Sequence, residues 1–204
     1  MSGKSIVIDG VGGQGVRVIG STMARLLEVM GFHVTLLFDY DSSVRGGMSE
    51  AFLRYDREPI SNFVVECADV VVRLADRGPV HLSTDYVIAD INLMKPGETG
   101  EEIPFLQLGV EKFGRDLFGN MIALGRLLCV CDVEFTDEHL EDALPKKYLA
   151  DNIAAIRYGY GMDKGSIKAI VPEQAASSFA TRYAEKVLAG TAPAEAIELA
   201  AAQI

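Results

Sequence analysis

Apolar positions follow two rhythms along this chain. Short runs rich in β-branched residues stand at K-S-I-V-I-D (4–9), H-V-T-L-L-F (33–38), V-V-V-R-L (70–74) and Y-V-I-A-D-I (86–91). Such continuous runs predict strands buried on both faces. M-S-E-A-F-L-R-Y (48–55) alternates instead, as a strand with one covered face does, and breaks at D-R-E-P-I. Between the first two runs Val16, Ile19, Met23, Leu26 and Met30 recur at spacings of three and four, with Arg17, Ser21, Arg25 and Glu28 between them. This spacing predicts an amphipathic helix, closed by Gly31 in the C-cap role. The first 38 residues therefore read as β–loop–α–β, with a parallel arrangement and a right-handed crossover.

Residues 115–131, R-D-L-F-G-N-M-I-A-L-G-R-L-L-C-V-C, are apolar on nearly every face and predict a central helix buried all round. Gly119 and Gly125 within it each cost about 1 kcal/mol relative to alanine. They are expected where another backbone approaches closely. Further helices are predicted from a Thr136 cap, from Asp151, from Pro172 and from Thr191 onward. Only about a dozen residues, Gly78 and Pro79 among them, separate the strands at 70–74 and 86–91, so any connecting helix is short. The whole reads as one α/β domain spanning 1–204, with a helical C-terminal extension from about 163 to 204.

Composition narrows the function classes. A net charge of -10 argues against a nucleic-acid protein, which needs a basic footprint, and against an anionic membrane surface. No apolar stretch reaches the roughly 18 residues that span a bilayer. The opening M-S-G-K-S-I-V-I-D lacks a signal-peptide pattern, so a cytoplasmic location is expected. A mean hydropathy of +0.19 hints at surface buried against a partner. Cys67, Cys129 and Cys131 make no disulfide or cluster framework and read as buried thiols, and His33, His81 and His139 stand apart from them. No metal site is expected. Tyr158 and Tyr160 are expected at a subunit face, and Glu101-Glu102 in a solvated loop.

The chemistry centres on G-V-G-G-Q-G-V, residues 10–16, between the first strand and the first helix. Gly10, Gly12 and Gly15 fit the dinucleotide fingerprint: a tight turn, close approach of a pyrophosphate, and close helix–strand packing. A helix N-terminus there would offer unpaired N–H groups to an anion, with Gly13 and Gln14 in the same turn. Asp39, ending the second strand, stands about where an acid would accept a ribose hydroxyl. An independent NAD- or FAD-binding oxidoreductase is thus one reading. Downstream, Arg45-Gly46-Gly47 presents a forked cation beside an approachable backbone, and reads either as part of an anion site or as a turn with a solvated arginine. Asp39 and Asp41 could pair for acid–base work, although a solvated loop suits them as well.

Several motifs in order, G-V-G-G-Q-G-V, D-Y-D-S-S-V-R-G-G-M-S-E-A, E-P-I, G-N-M-I-A-L-G and N-I-A-A-I-R-Y-G-Y, resemble the gamma subunit of 2-oxoacid:ferredoxin (acceptor) oxidoreductases. The family covers the pyruvate, 2-oxoglutarate, ketoisovalerate and indolepyruvate enzymes, and the resemblance spans about residues 5–162. Two departures stand out: the short segment between the strands at 70–74 and 86–91, and D-Y-D-S-S where S-Y-G-P-E is common. The resemblance implies a three-layer α/β/α sandwich with a Rossmann-like, mostly parallel sheet. It also implies a place in a complex that oxidatively decarboxylates a 2-oxoacid to an acyl-coenzyme A, using thiamine diphosphate, Mg, iron–sulfur clusters and coenzyme A.

This chain has neither a G-D-G segment followed by paired asparagines nor a cluster-binding cysteine set. The catalytic cofactors are therefore expected on alpha-, beta- and delta-type partner subunits, with ferredoxin an indirect partner and the isolated chain inactive. For the chain itself no catalytic residue is expected. Gly10, Gly12, Gly13, Gln14, Gly15, Asp39, Arg45, Gly46 and Gly47 are the candidate cofactor-binding residues. They either hold the adenosine diphosphate end of coenzyme A or pack against the partners.

Overall fold

A computed structural model describes residues 3–40, 47–76, 83–162 and 168–170. Seven strands form one sheet: β1 (Lys4–Val11), β2 (His33–Tyr40), β3 (Met48–Asp56), β4 (Cys67–Arg73), β5 (Ser83–Ala89), β6 (Gly100–Glu102) and β7 (Lys168–Ile170). Their order is β2-β3-β1-β4-β5-β6-β7. β1, β4, β5 and β6 pair in parallel, while β3 runs antiparallel to both β1 and β2, and β7 antiparallel to β6. The α/β class with a mostly parallel sheet is thus what the sequence predicts. β1 and β2 do run parallel, but they are not neighbours, because the alternating strand 48–56 inserts between them.

Among the described residues five α-helices accompany the sheet: α1 (Val16–Val29), α2 (Phe105–Phe113), α3 (Gly119–Val130), α4 (Asp137–Ala143) and α5 (Leu149–Tyr160). Each contributes buried apolar side chains to one large core, together with Ile6, Ile8, Leu53, Tyr55, Val70, Val72 and Ile88 of the sheet. Successive strand residues point to opposite faces. Val7, Val71, Val87 and Ala89 therefore look the other way, into a smaller cluster closed by Val65, Leu93 and Met94. Both faces of the central strands are dry, which is why I-V-I and V-V-V read as unbroken apolar runs. The helices predicted from Pro172 and Thr191 lie outside the described residues, as does most of the 163–204 extension. Residues 168–170, near its start, form the edge strand β7.

α3 is the buried central helix that the sequence predicts, and α5 of the same chain is what presses on it. A Cβ on Gly125 would strike the Ile156 carbonyl, and a Cβ on Gly159 would strike that of Ile122. The two helices touch backbone to backbone through a reciprocal glycine pair, which only glycine's missing side chain permits. Burying Ile122, Leu124, Leu127 and Leu128 completely contributes about 1.5–3 kcal/mol each.

Other details correct the sequence reading. α5 begins at Leu149 rather than at an Asp151 cap, with Tyr148 before it in the left-handed region, φ 58° and ψ 31°. Tyr158 and Tyr160 are half-buried and pack edge-on against Phe113 and Phe135 of this chain. Glu101 and Glu102 are buried in β6 instead of solvated, and Glu101 accepts from Arg126 Nε at 2.8 Å. Cys131 is buried as expected, Cys129 half-buried, and Cys67 exposed. The Thr136 cap is present, with the Thr136 hydroxyl accepting from the His139 amide and the His139 ring accepting from that of Thr136. Among the described residues no helix is long and apolar enough to cross a membrane.

Candidate functional site

β1 runs out into the glycine loop, and the loop is stitched from within. The Gln14 side chain accepts from the Val11 amide at 2.8 Å and donates to the Leu74 carbonyl at 3.0 Å. One amide thus closes the turn and ties it to the end of β4. Gly13 and Gly15 hold φ of 97° and 84°, a region that costs non-glycine residues strain. Gly15 has a second reason to lack a side chain, because the Asn120 amide occupies the place of a Cβ. At Gly10 a Cβ would sit 2.8 Å from Val16 Cγ2 and 3.0 Å from Gln14 Oε1.

α1 starts directly from this loop, with Ile19 N donating to Gly15 O at 3.0 Å across its first turn. It has no side-chain cap and no acidic residue in its first turn. The positive end of the helix dipole is therefore not offset by a carboxylate from its own first turn. Gly12 N donates to Gly47 O at 2.9 Å, which brings the end of the 41–47 segment against the loop. Arg45 and Gly46 lie outside the described residues.

Asp39 is not brought into this corner. It is exposed near the end of β2, opposite Glu50 of β3, and Glu50 in turn stands opposite Asp9 of β1. With β3 interposed, Asp39 lies two strand spacings, roughly 10 Å, from β1. Asp39 therefore does not stand at the end of a strand adjoining β1, where a dinucleotide fold places its ribose-binding acid.

A charged group that sequence reasoning missed lies beneath the loop. Asp9 and Arg73, opposite each other in the β1–β4 register, are only 1% and 2% exposed. Arg73 forks onto Glu98 with hydrogen bonds of 2.6 and 2.8 Å and donates to the Leu93 carbonyl at 3.1 Å. Its Nε stays 3.9 Å from Asp9 Oδ2, and that nitrogen and both Asp9 oxygens have no hydrogen-bond partner. Burial, then repulsion from Glu50, pushes the Asp9 carboxyl up to about 6, with Arg73 and Lys95 opposing. Glu50 is raised by burial and by Asp39. For Glu98, burial is outweighed by the Arg73 hydrogen bonds and the Lys95 amide, and the carboxyl is held below its ordinary range. The only signal in the sequence was a charge ending each apolar run, I-V-I-D and V-V-V-R.

Burial pushes the Cys131 thiol up to about 12, so it stays protonated at neutral pH. Among the described residues no group of three or more His, Cys, Asp or Glu side chains could hold a metal ion. What the corner offers is an open helix N-terminus and closely approachable backbone.

With this geometry in view, residues 5–162 match the family described as pyruvate ferredoxin/flavodoxin oxidoreductase. The chain belongs to this family. The 2-oxoglutarate synthase subunit KorC of Archaeoglobus fulgidus is 29% identical over 167 residues, covering 78% of this chain and 88% of that protein. The fold matches the gamma subunit of a keto/oxoacid ferredoxin oxidoreductase from Geobacter sulfurreducens with a TM-score of 0.68, at 21% identity, over 82% of this chain and 100% of that one. Pyruvate oxidoreductase subunit PORC of Thermotoga maritima gives 0.62, also at 21% identity, over 82% and 98%. A 2-oxoglutarate:ferredoxin oxidoreductase from Magnetococcus marinus, solved with 2-oxoglutarate, coenzyme A and succinyl-CoA bound, gives 0.68 at 19% identity, over 84% of this chain but 32% of that one. The gamma-subunit resemblance of the motifs thus agrees with the family and with the fold.

Proposed function

We propose that this chain is the gamma component of a cytoplasmic complex that oxidatively decarboxylates a 2-oxoacid and passes the acyl group to coenzyme A. In this reading its own part is to join the partner subunits and to hold the adenosine diphosphate end of coenzyme A. The observation that carries the reading is the corner at Gly12 and Gly47: an uncapped helix N-terminus with no acid in its first turn, hydrogen-bonded to the segment that bears Arg45. Backbone N–H groups and a guanidinium fork are the donors a diphosphate takes.

Thiamine diphosphate with its Mg, and the iron–sulfur clusters, are assigned to alpha-, beta- and delta-type partners. They supply the carbanion chemistry and the electron path to ferredoxin. This chain's residues do not suit them: Cys67, Cys129 and Cys131 differ in burial and gather no third ligand among the described residues. The isolated chain is then inactive, and the glycine loop acts only in the assembled enzyme.

Arg45→Ala in the reconstituted complex, titrated with coenzyme A, tests the assignment. Loss of a charge-assisted contact worth about 1.5–3 kcal/mol raises the apparent KM for coenzyme A roughly 10- to 100-fold, with the 2-oxoacid KM unchanged. An unchanged coenzyme A KM would mean that the loop packs against a partner instead.

A further inference from the structure

A second site lies across Asn120 from the glycine loop. This residue presses on Gly15 and also lines a cavity of about 320 Å³ between α1, α3 and the start of α5. Buried Thr22 and Met121 belong to its walls, as do Leu117 and the half-exposed Val18. Asn120 and Asn152 add amides, and Lys147 and Tyr148 complete the lining. Its volume is at the small end of the range for ligand pockets, and its mix of apolar wall with a few polar groups is what such pockets share.

Tyr148 is held in an unusual way. Its left-handed backbone is strained for a residue with a side chain. Arg115 Nη1 donates to its hydroxyl at 2.9 Å, and the Phe118 ring meets it edge-on at 6.3 Å. Two cations converge on its ring, Arg115 at 5.3 Å and Lys147 at 5.1 Å. Neither forms an ion pair with a carboxylate among the described residues, in a chain whose net charge is -10. Lys147 and two side-chain amides on an otherwise apolar lining suit an anion carrying an apolar body.

We propose that this cavity binds a small organic carboxylate with an aromatic or alicyclic body. The carboxylate pairs with Lys147 and takes the Asn120 and Asn152 amides, and the ring lies against Val18, Leu117 and Met121. A bare inorganic anion would leave the apolar wall wet, and a neutral hydrocarbon would leave Lys147 uncompensated. The site is separate from the coenzyme A corner and does not depend on that assignment.

Calorimetric titration of the full 204-residue chain with 3-phenylpropionate and with its neutral amide, 3-phenylpropanamide, tests the proposal. The acid binds saturably and at least about tenfold more tightly than the amide, a difference equivalent to roughly 1.4 kcal/mol. Lys147→Gln removes that preference, and Val18→Phe, at the exposed wall, weakens both ligands. Absence of saturable binding, equal affinity for acid and amide in the unaltered chain, or indifference to Val18→Phe overturns it. So does loss of the site on assembly with the partner subunits, which would make a partner surface the occupant.

Discussion

Gln14 shows how one side chain can decide the shape of a loop. Both ends of its amide are engaged, with the Val11 amide and the Leu74 carbonyl, so the residue stitches the loop to the end of β4. Gln14→Ala is expected to lower stability by about 1–2 kcal/mol in urea unfolding, for two hydrogen bonds lost. Gln14→Glu is expected to rescue only part of it, because a carboxylate still accepts from the Val11 amide but faces the Leu74 carbonyl with no proton to give. Asp9 makes the opposite contribution. The folded state keeps its proton up to about pH 6, whereas the unfolded chain releases it near 3.8. Stability therefore falls as pH rises through that window, and the penalty is complete above it. Asp9→Asn should leave stability unchanged near pH 3 and raise it at pH 8 by an amount on the order of 2 kcal/mol. Urea midpoints at the two pH values check the difference.

Among the elements, α3 and α5 carry the least tolerance. Their backbones meet at Gly125 and Gly159, so an added methyl group must push whole helices apart. Gly125→Ala is expected to cost about 3 kcal/mol by overpacking, although alanine is the better helix former. Gly125→Ala and Gly159→Ala together should cost less than the sum of the two, since the first already separates the helices; a double-mutant cycle by urea unfolding measures this. The existence of α3 was legible because its apolar residues run round every face. Its partner was not, because a glycine reports closeness without naming the neighbour. α5 starts two residues before Asp151 because Arg115 and Phe118, distant in sequence, hold Tyr148 in its left-handed turn. β6 went unread because G-E-E carries two acids, one of which is neutralised only when Arg126 folds against it.

For the molecule as a whole, the burial of its thiols offers a direct check of the fold. Iodoacetamide at pH 8 should modify Cys67 in the native chain and spare Cys131, which is 1% exposed and whose thiol is pushed up to about 12. Both should react in denaturant; native reactivity at Cys131, read by peptide mass, would contradict the packing of α3 on the sheet. The same architecture decides the candidate site. Placing β3 between β1 and β2 carries Asp39 away from the glycine loop, while Gly47, just before β3, is hydrogen-bonded to it.

From its sequence alone, this protein's first five strands, its first helix, its buried third helix and its glycine corner were determined. Each depends on local periodicity or on a backbone conformation that only certain residues adopt. The tertiary structure alone decided which strands are neighbours, and so which charges meet. Asp9 and Arg73 are 64 positions apart, and whether each is solvated or buried depends on register, which no local pattern encodes. The physical reason is that apolar burial is non-directional and sums along a segment, whereas electrostatic pairing depends on distances set only once the sheet is assembled.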